Sequence, residues 1–152
     1  MHALSQDQIA EAAALAAEFA WLIDHRAGAG VSALFTPDGV YGYTGFEMHG
    51  REAIDAFYRE RAARGKRLSR HLFSPARLAL EDDGTIAAWS TLTLYAADGE
   101  APHGASPIAL MDYADRLVIA DGALRFRRRW VTLLFGQMPN LVNQQNLGRE
   151  QS

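Results

Sequence analysis

Cysteine is absent from the 152 residues, which excludes a disulfide framework, thiolate zinc sites, iron–sulfur clusters and a cysteine nucleophile. That absence leaves the redox compartment open, and a cytoplasmic location is expected by default. An excess of positive charge is missing too. Fifteen Lys and Arg against 18 Asp and Glu give a net charge of −3, without the basicity that binding a polyanion requires. No nucleic-acid partner is expected. Long apolar runs are also lacking: Asp7, Glu11 and Glu18 interrupt the Ala-rich start of the chain, and no basic segment precedes it. Neither a secretory signal nor a membrane span fits. The mature chain is expected to begin near Met1, with no membrane association.

Internal repeats, low-complexity linkers and breaks in composition are likewise absent. The expectation is a single domain over residues 1–152, with a core at about 6–135 and a Gln- and Asn-bearing tail, 136–152, standing apart from it. Composition at 49% hydrophobic and 22% charged is that of a soluble globular chain, which at this length buries about two thirds of its unfolded surface. That leaves room for a core and one internal pocket.

Ser5 and Gln8 have the spacing of a capping box, so a helix is predicted over about 6–26. Ile9, Ala13, Ala16, Phe19, Ala20 and Ile23 form its apolar stripe, and Gly28-Ala29-Gly30 ends it. Val31 to Phe35 is a short second helix or turn. Pro37-Asp38-Gly39 is a turn launching the β-prone Val40-Tyr41-Gly42-Tyr43. A third helix follows Gly50 and buries Ile54, Phe57 and Tyr58. Beyond Gly65 the period changes. Residues 68–80, 85–95, 107–119 and 123–135 are rich in β-branched and aromatic residues, separated by Asp-Gly turns and loops. Helices followed by a meander predict an α+β fold: a cone-shaped, strongly curved, mostly antiparallel sheet with three N-terminal helices enclosing a pocket.

Two residues stand out. Asp24 falls in the last turn of the first helix, where a carboxylate faces the negative end of the helix dipole and calls for a partner. A solvated Asp paired with His25 or Arg26 is the plainer account. His71 opens the first long strand on the same side as Phe73. A satisfied structural His is the plain reading, but a carboxylate against one ring nitrogen would fix its tautomer and raise its basicity, as a general base requires. Arg59, Arg61, Arg64, Lys66, Arg67 and Arg70 read as a solvated basic face. Of Arg125, Arg127, Arg128 and Arg129, one or two must point inward by alternation, and a bulge would decide which. Trp21, Tyr43, Phe46, Trp89, Tyr113 and Trp130 are core residues or the lining of an aromatic pocket. The five His residues show no metal-ligand spacing, and no Gly-x-Gly-x-x-Gly or Walker loop is present, so neither metal nor nucleotide cofactor is expected.

The order of a long helix ending in Asp24, Leu34-Phe35 before Pro-Asp-Gly, an aromatic strand, a helix opened by His49-Gly50-Arg51-Glu52-Ala53-Ile54, Arg70-His71 and a terminal Asp-Gly hairpin resembles the SnoaL-like branch of the nuclear transport factor 2-like superfamily. The likeness covers about 6–135 and implies that superfamily's cystatin-like fold. The pattern is similar to scytalone dehydratase and γ-hexachlorocyclohexane dehydrochlorinase, in which an Asp late in the first helix orients a His that removes a proton. The resemblance puts Asp24 and His71 in those catalytic positions and Arg129 and Tyr43 at groups that contact substrate. Trp21, Trp89 and Tyr113 are added from this sequence as candidate substrate-binding aromatics. There are departures: Trp89-Ser90-Thr91 stands where scytalone dehydratase has a second His, and Ile23 where it has a Tyr, so that enzyme's dehydration is not implied.

The expected activity is therefore cofactor-independent proton abstraction with elimination or isomerisation on a small hydrophobic ring compound, of dehydratase, dehydrohalogenase or isomerase type. The alternative is a non-catalytic ligand-binding or assembly domain of the same fold, as in the small subunits of ring-hydroxylating dioxygenases. A homodimer or other homo-oligomer is expected, because Ile86, Leu92 and Leu94 on one side and Trp89 and Tyr95 on the other supply both faces of one strand with apolar side chains.

Overall fold

The computed structural model describes residues 3–138. Helix α1 (Gln6–Arg26) opens with the capping box, Ser5 accepting from the Gln8 amide while the Gln8 side chain accepts from the Ser5 amide. Its buried stripe is Ala12, Leu15 and Phe19. Ile9 is 40% exposed, so the stripe is rotated from the one predicted, because Phe19 sets the inward direction. Residues Val31–Leu34 form a single 3-10 turn, within the short helix or turn expected there, followed by β1 (Phe35–Tyr43), β2 (Phe46–His49) and α2 (Gly50–Ala63). The Pro-Asp-Gly segment is a bulge inside β1 instead of a turn before it: Phe35 already pairs with Phe126, and the register shifts before Val40.

The strands β3 (Arg67–Phe73), β4 (Arg77–Leu80), β5 (Ile86–Asp98), β6 (Ala109–Ala120) and β7 (Ala123–Gly136) complete one sheet in the order β2-β1-β7-β6-β5-β3, with β4 also on β5. The predicted strand over 68–80 is split, since Pro75 cannot supply a ladder donor and Ser74 instead exchanges bonds with Thr91. The pairing is antiparallel except between β1 and β7. The sheet is curved and unclosed, with the helices on its concave side: an α+β, cystatin-like fold of two α-helices, where three helices were expected.

One apolar cluster joins Phe19 of α1 and Ile54 of α2 to Phe35, Ile86, Leu117 and Phe126 of the sheet. A second, in the mouth of the curve, gathers Leu92, Leu94, Met111, Tyr113 and Val131. Met138 belongs to it at 8% exposure, so the expected tail does not detach at Gly136, while 139–152 lie outside the described residues. No helix among the described residues is long and apolar enough to cross a membrane.

Candidate active site

Between the two helices and the concave sheet lies a cavity of about 490 Å³, a volume suited to a small organic molecule. Asp24 projects into it from the end of α1, and His71 from β3. The two residues, 47 positions apart, meet with His71 Nδ1 at 2.7 Å from Asp24 Oδ1. The His71 backbone amide donates to Oδ2 at 2.8 Å, and Ser69 Oγ donates to Oδ1 at 2.7 Å. Three donors thus converge on one carboxylate at a helix C-terminus, where the backbone offers it only carbonyls. Burial pushes the Asp24 carboxyl up, but the His71 ring, the His71 amide and Ser69 outweigh it and hold the group below its ordinary value.

An ionised carboxylate only accepts hydrogen bonds, so His71 Nδ1 is the donor of the pair, and in the neutral ring the lone pair is on Nε2. The ring is 10% exposed and lines the cavity, and no described residue hydrogen-bonds Nε2. An imidazole held in this way can take a proton from a molecule in the cavity.

Four of the five Tyr residues, Tyr41, Tyr43, Tyr58 and Tyr113, line the same cavity. Tyr41 and Tyr43 share a face of β1, Tyr113 enters from β6 and Tyr58 from α2. Burial pushes the Tyr58 and Tyr113 hydroxyls well up, and neighbouring Tyr41 adds to the effect; Tyr43 shifts the same way for the same reasons. They stay protonated at neutral pH and can donate. Tyr43 packs at a tilt against Phe46, and Phe46 against Phe57, at ring separations of 5.5 and 5.9 Å, which gives the cavity an aromatic wall.

Three of the expected substrate contacts are corrected. Arg129 points inward but lies beneath the cavity at 1% exposure, with Nε and Nη2 donating to the two oxygens of Asp115 at 3.0 and 3.1 Å. The rings of Phe19, Phe73, Tyr113 and Phe126 surround its guanidinium. A register shift between Phe126 and Arg128 keeps Phe126 and Arg129 both inward and turns Arg128 out over Trp130. Trp21 is 53% exposed and lies against His25, because α1 turns it away from the sheet. Trp89 is 40% exposed on the convex face beside Arg77, one position out of phase with the inward Ala88.

Sequence reasoning passed over Tyr41 and Tyr58, although Tyr41 stands two residues from Tyr43 on the same strand face. It also passed over Arg61, Lys66 and Arg67, which line the cavity and do not belong to a wholly solvated face. Among the described residues, no three His, Asp or Glu side chains gather where they could hold a metal ion.

The sequence profile of the SnoaL-like domain matches residues 5–130. No curated protein matches the chain in sequence. Among solved structures, ActVI-ORFA from Streptomyces coelicolor is 29% identical, with a TM-score of 0.71 over 84% of this chain and 98% of its own. A candidate scytalone dehydratase from Novosphingobium aromaticivorans shares the fold at 17% identity, TM-score 0.73, over 85% of each chain. The β subunit of a candidate aromatic-ring-hydroxylating dioxygenase from the same organism does so at 14%, TM-score 0.74, over 91% of this chain and 97% of its own.

Proposed function

The chain belongs to the SnoaL-like domain family, and within it we propose that this protein is a cofactor-independent enzyme that abstracts a proton from a small ring compound. The observation that carries the reading is the 2.7 Å contact of Asp24 with His71 Nδ1, made at a cavity that His71 lines. His71 Nε2 takes the proton from a carbon made acidic by an adjacent electron-withdrawing group. The electron pair left behind forms a double bond, either as a leaving group departs from the neighbouring carbon or as a proton returns elsewhere on the conjugated system. Asp24 holds the ring in one tautomer and stabilises the imidazolium. The Tyr hydroxyls replace Arg129 as the donors that meet charge building on the substrate oxygen.

The test is deuterium exchange at the α-carbon of a hydrophobic bicyclic ketone, 2-tetralone, followed by proton NMR in D2O. The wild-type protein is expected to accelerate exchange. His71→Ala is expected to lose about 10² to 10⁴ of that rate while keeping the wild-type fold by circular dichroism. Binding of 2-tetralone without exchange by the wild type, or exchange that survives in His71→Ala, would overturn the reading in favour of a ligand-binding domain.

A further inference from the structure

Arg67, Ser69 and His71 are alternate residues of β3, so their side chains stand on one face of the strand, and all three line the cavity. Ser69 and His71 are committed to Asp24. Arg67 is different. Its Nε is buried and has no hydrogen-bond partner among the described residues.

The charges around it do not balance. Arg61 is paired with Asp98 at 3.3 Å, Arg64 with Glu60 at 3.0 Å and Lys66 with Glu100 at 2.6 Å. Each of these three carboxylates already has a cation, and Arg67, which faces Asp98 only as its register neighbour, is left without a salt bridge among the described residues. Burial and the positive charges of Arg61 and Arg64 make its own charge unfavourable, and Asp98 offsets this in part. A guanidinium at the wall of the cavity without a carboxylate of its own is costly unless something meets it there. One further anion would.

We infer that Arg67 is the anchor for a carboxylate on the substrate, so that the molecule turned over at His71 is a ring acid whose charged end sits at Arg67. The inference rests on the reading of His71 as the base and names the substrate class for the same site. A guanidinium offers two parallel donors that match the two oxygens of a carboxylate, and one unpaired cation calls for a single negative charge. The four-residue step from Arg67 to His71 along β3 places their Cα atoms about 13 Å apart. Both side chains stand on the cavity face of the strand, and the stretch of cavity between them suits a fused-ring skeleton lying along it. Leu94 and Ala96, the register partners of His71 and Ser69 on β5, line the cavity beside this span and offer that skeleton an apolar bed, and the acidic carbon then lies at the His71 end.

The experiment compares 2-naphthoate with its neutral isostere 2-naphthamide by isothermal titration calorimetry at neutral pH. The wild-type protein is expected to bind the acid about tenfold or more tighter than the amide. Arg67→Met is expected to bring the two affinities together while binding the amide within about twofold of wild type, which shows that the cavity is intact, and Arg67→Lys to recover part of the preference. His71→Ala is expected to keep the preference, so failure of the base reading and failure of this one separate. Equal affinity in the wild type, or a preference that persists in Arg67→Met, would overturn the assignment of Arg67.

Discussion

Asp115 and Arg129 stand directly opposite each other in β6 and β7 and form a two-point ion pair under the floor of the cavity. Burial raises the Asp115 carboxyl from its ordinary value, and Arg129 only partly offsets this. The pair is therefore expected to be structural. Asp115→Ala should cost about 3 to 5 kcal/mol by leaving a buried cation unpaired, whereas Asp115→Leu combined with Arg129→Met should recover most of that loss. Urea unfolding measures both. Turnover per folded molecule is expected to be unchanged in the double variant, and a selective loss of turnover would return Arg129 to the chemistry.

Asp24 sets a different pH dependence. Its carboxyl is held below the ordinary 3.8 in the folded protein, so the folded state binds fewer protons than the unfolded one near that pH. The stability it contributes is complete above 3.8 and is lost as the pH falls through the lowered value. The gap in unfolding free energy between wild type and Asp24→Asn is therefore expected to stay constant from about pH 7 to 5 and to narrow below about pH 4. A gap that widens on acidification would mean that the carboxyl is held above its ordinary value.

Removing a single hydroxyl donor tests the role of the tyrosines. Tyr58→Phe and Tyr113→Phe each delete one oxygen from a well-packed ring, so stability is expected to fall by no more than about 1.5 kcal/mol. If the hydroxyls meet developing negative charge, the rate of 2-tetralone exchange should fall by about 10² or more. Rates within a factor of about two of wild type would assign the rings to shape alone.

The convex face of the sheet supplies a fourth test. Leu72, Thr93, Leu110 and Phe135 follow one another across four strands in register, and Leu72 and Phe135 are 54% and 69% exposed. A second copy of the chain covering this row is expected, giving a dimeric mass in light scattering at micromolar concentration, with Leu72→Lys shifting it to the monomer. A monomeric wild type would count against it.

The parts of this architecture that were legible in the sequence rest on local chemistry. The capping box at Ser5 and Gln8 marks a helix start because its two hydrogen bonds lie within four residues. Asp24 announces a partner because its position is electrostatically wrong for an unpartnered carboxylate. The inward aim of Arg129 escaped certainty because it depends on the register shift beside Arg127, an event set by pairing with β6 and not by the local pattern. Arg67 was hidden by its neighbours. Within a run of cations every member looks solvated, although its even spacing from His71 places it on the same face. Trp21 and Trp89 misled in the opposite sense: large aromatic rings suggest a lining, but helix phase and strand parity put both outside.

Strand β7 lies between β1 and β6, and this placement orders events on the ribosome. The β1–β2 hairpin is synthesised early, yet among the described residues it joins the rest of the sheet only through residues 123–136, late in the domain. Tyr41 and Tyr43 therefore reach Tyr113 only after β7 has been made. Until then the nascent chain holds two half-sheets with unpaired edges, a state prone to association. A chain that stops short of β7 loses the connection between its halves, so a premature stop there should leave an aggregating fragment in place of a weakened domain.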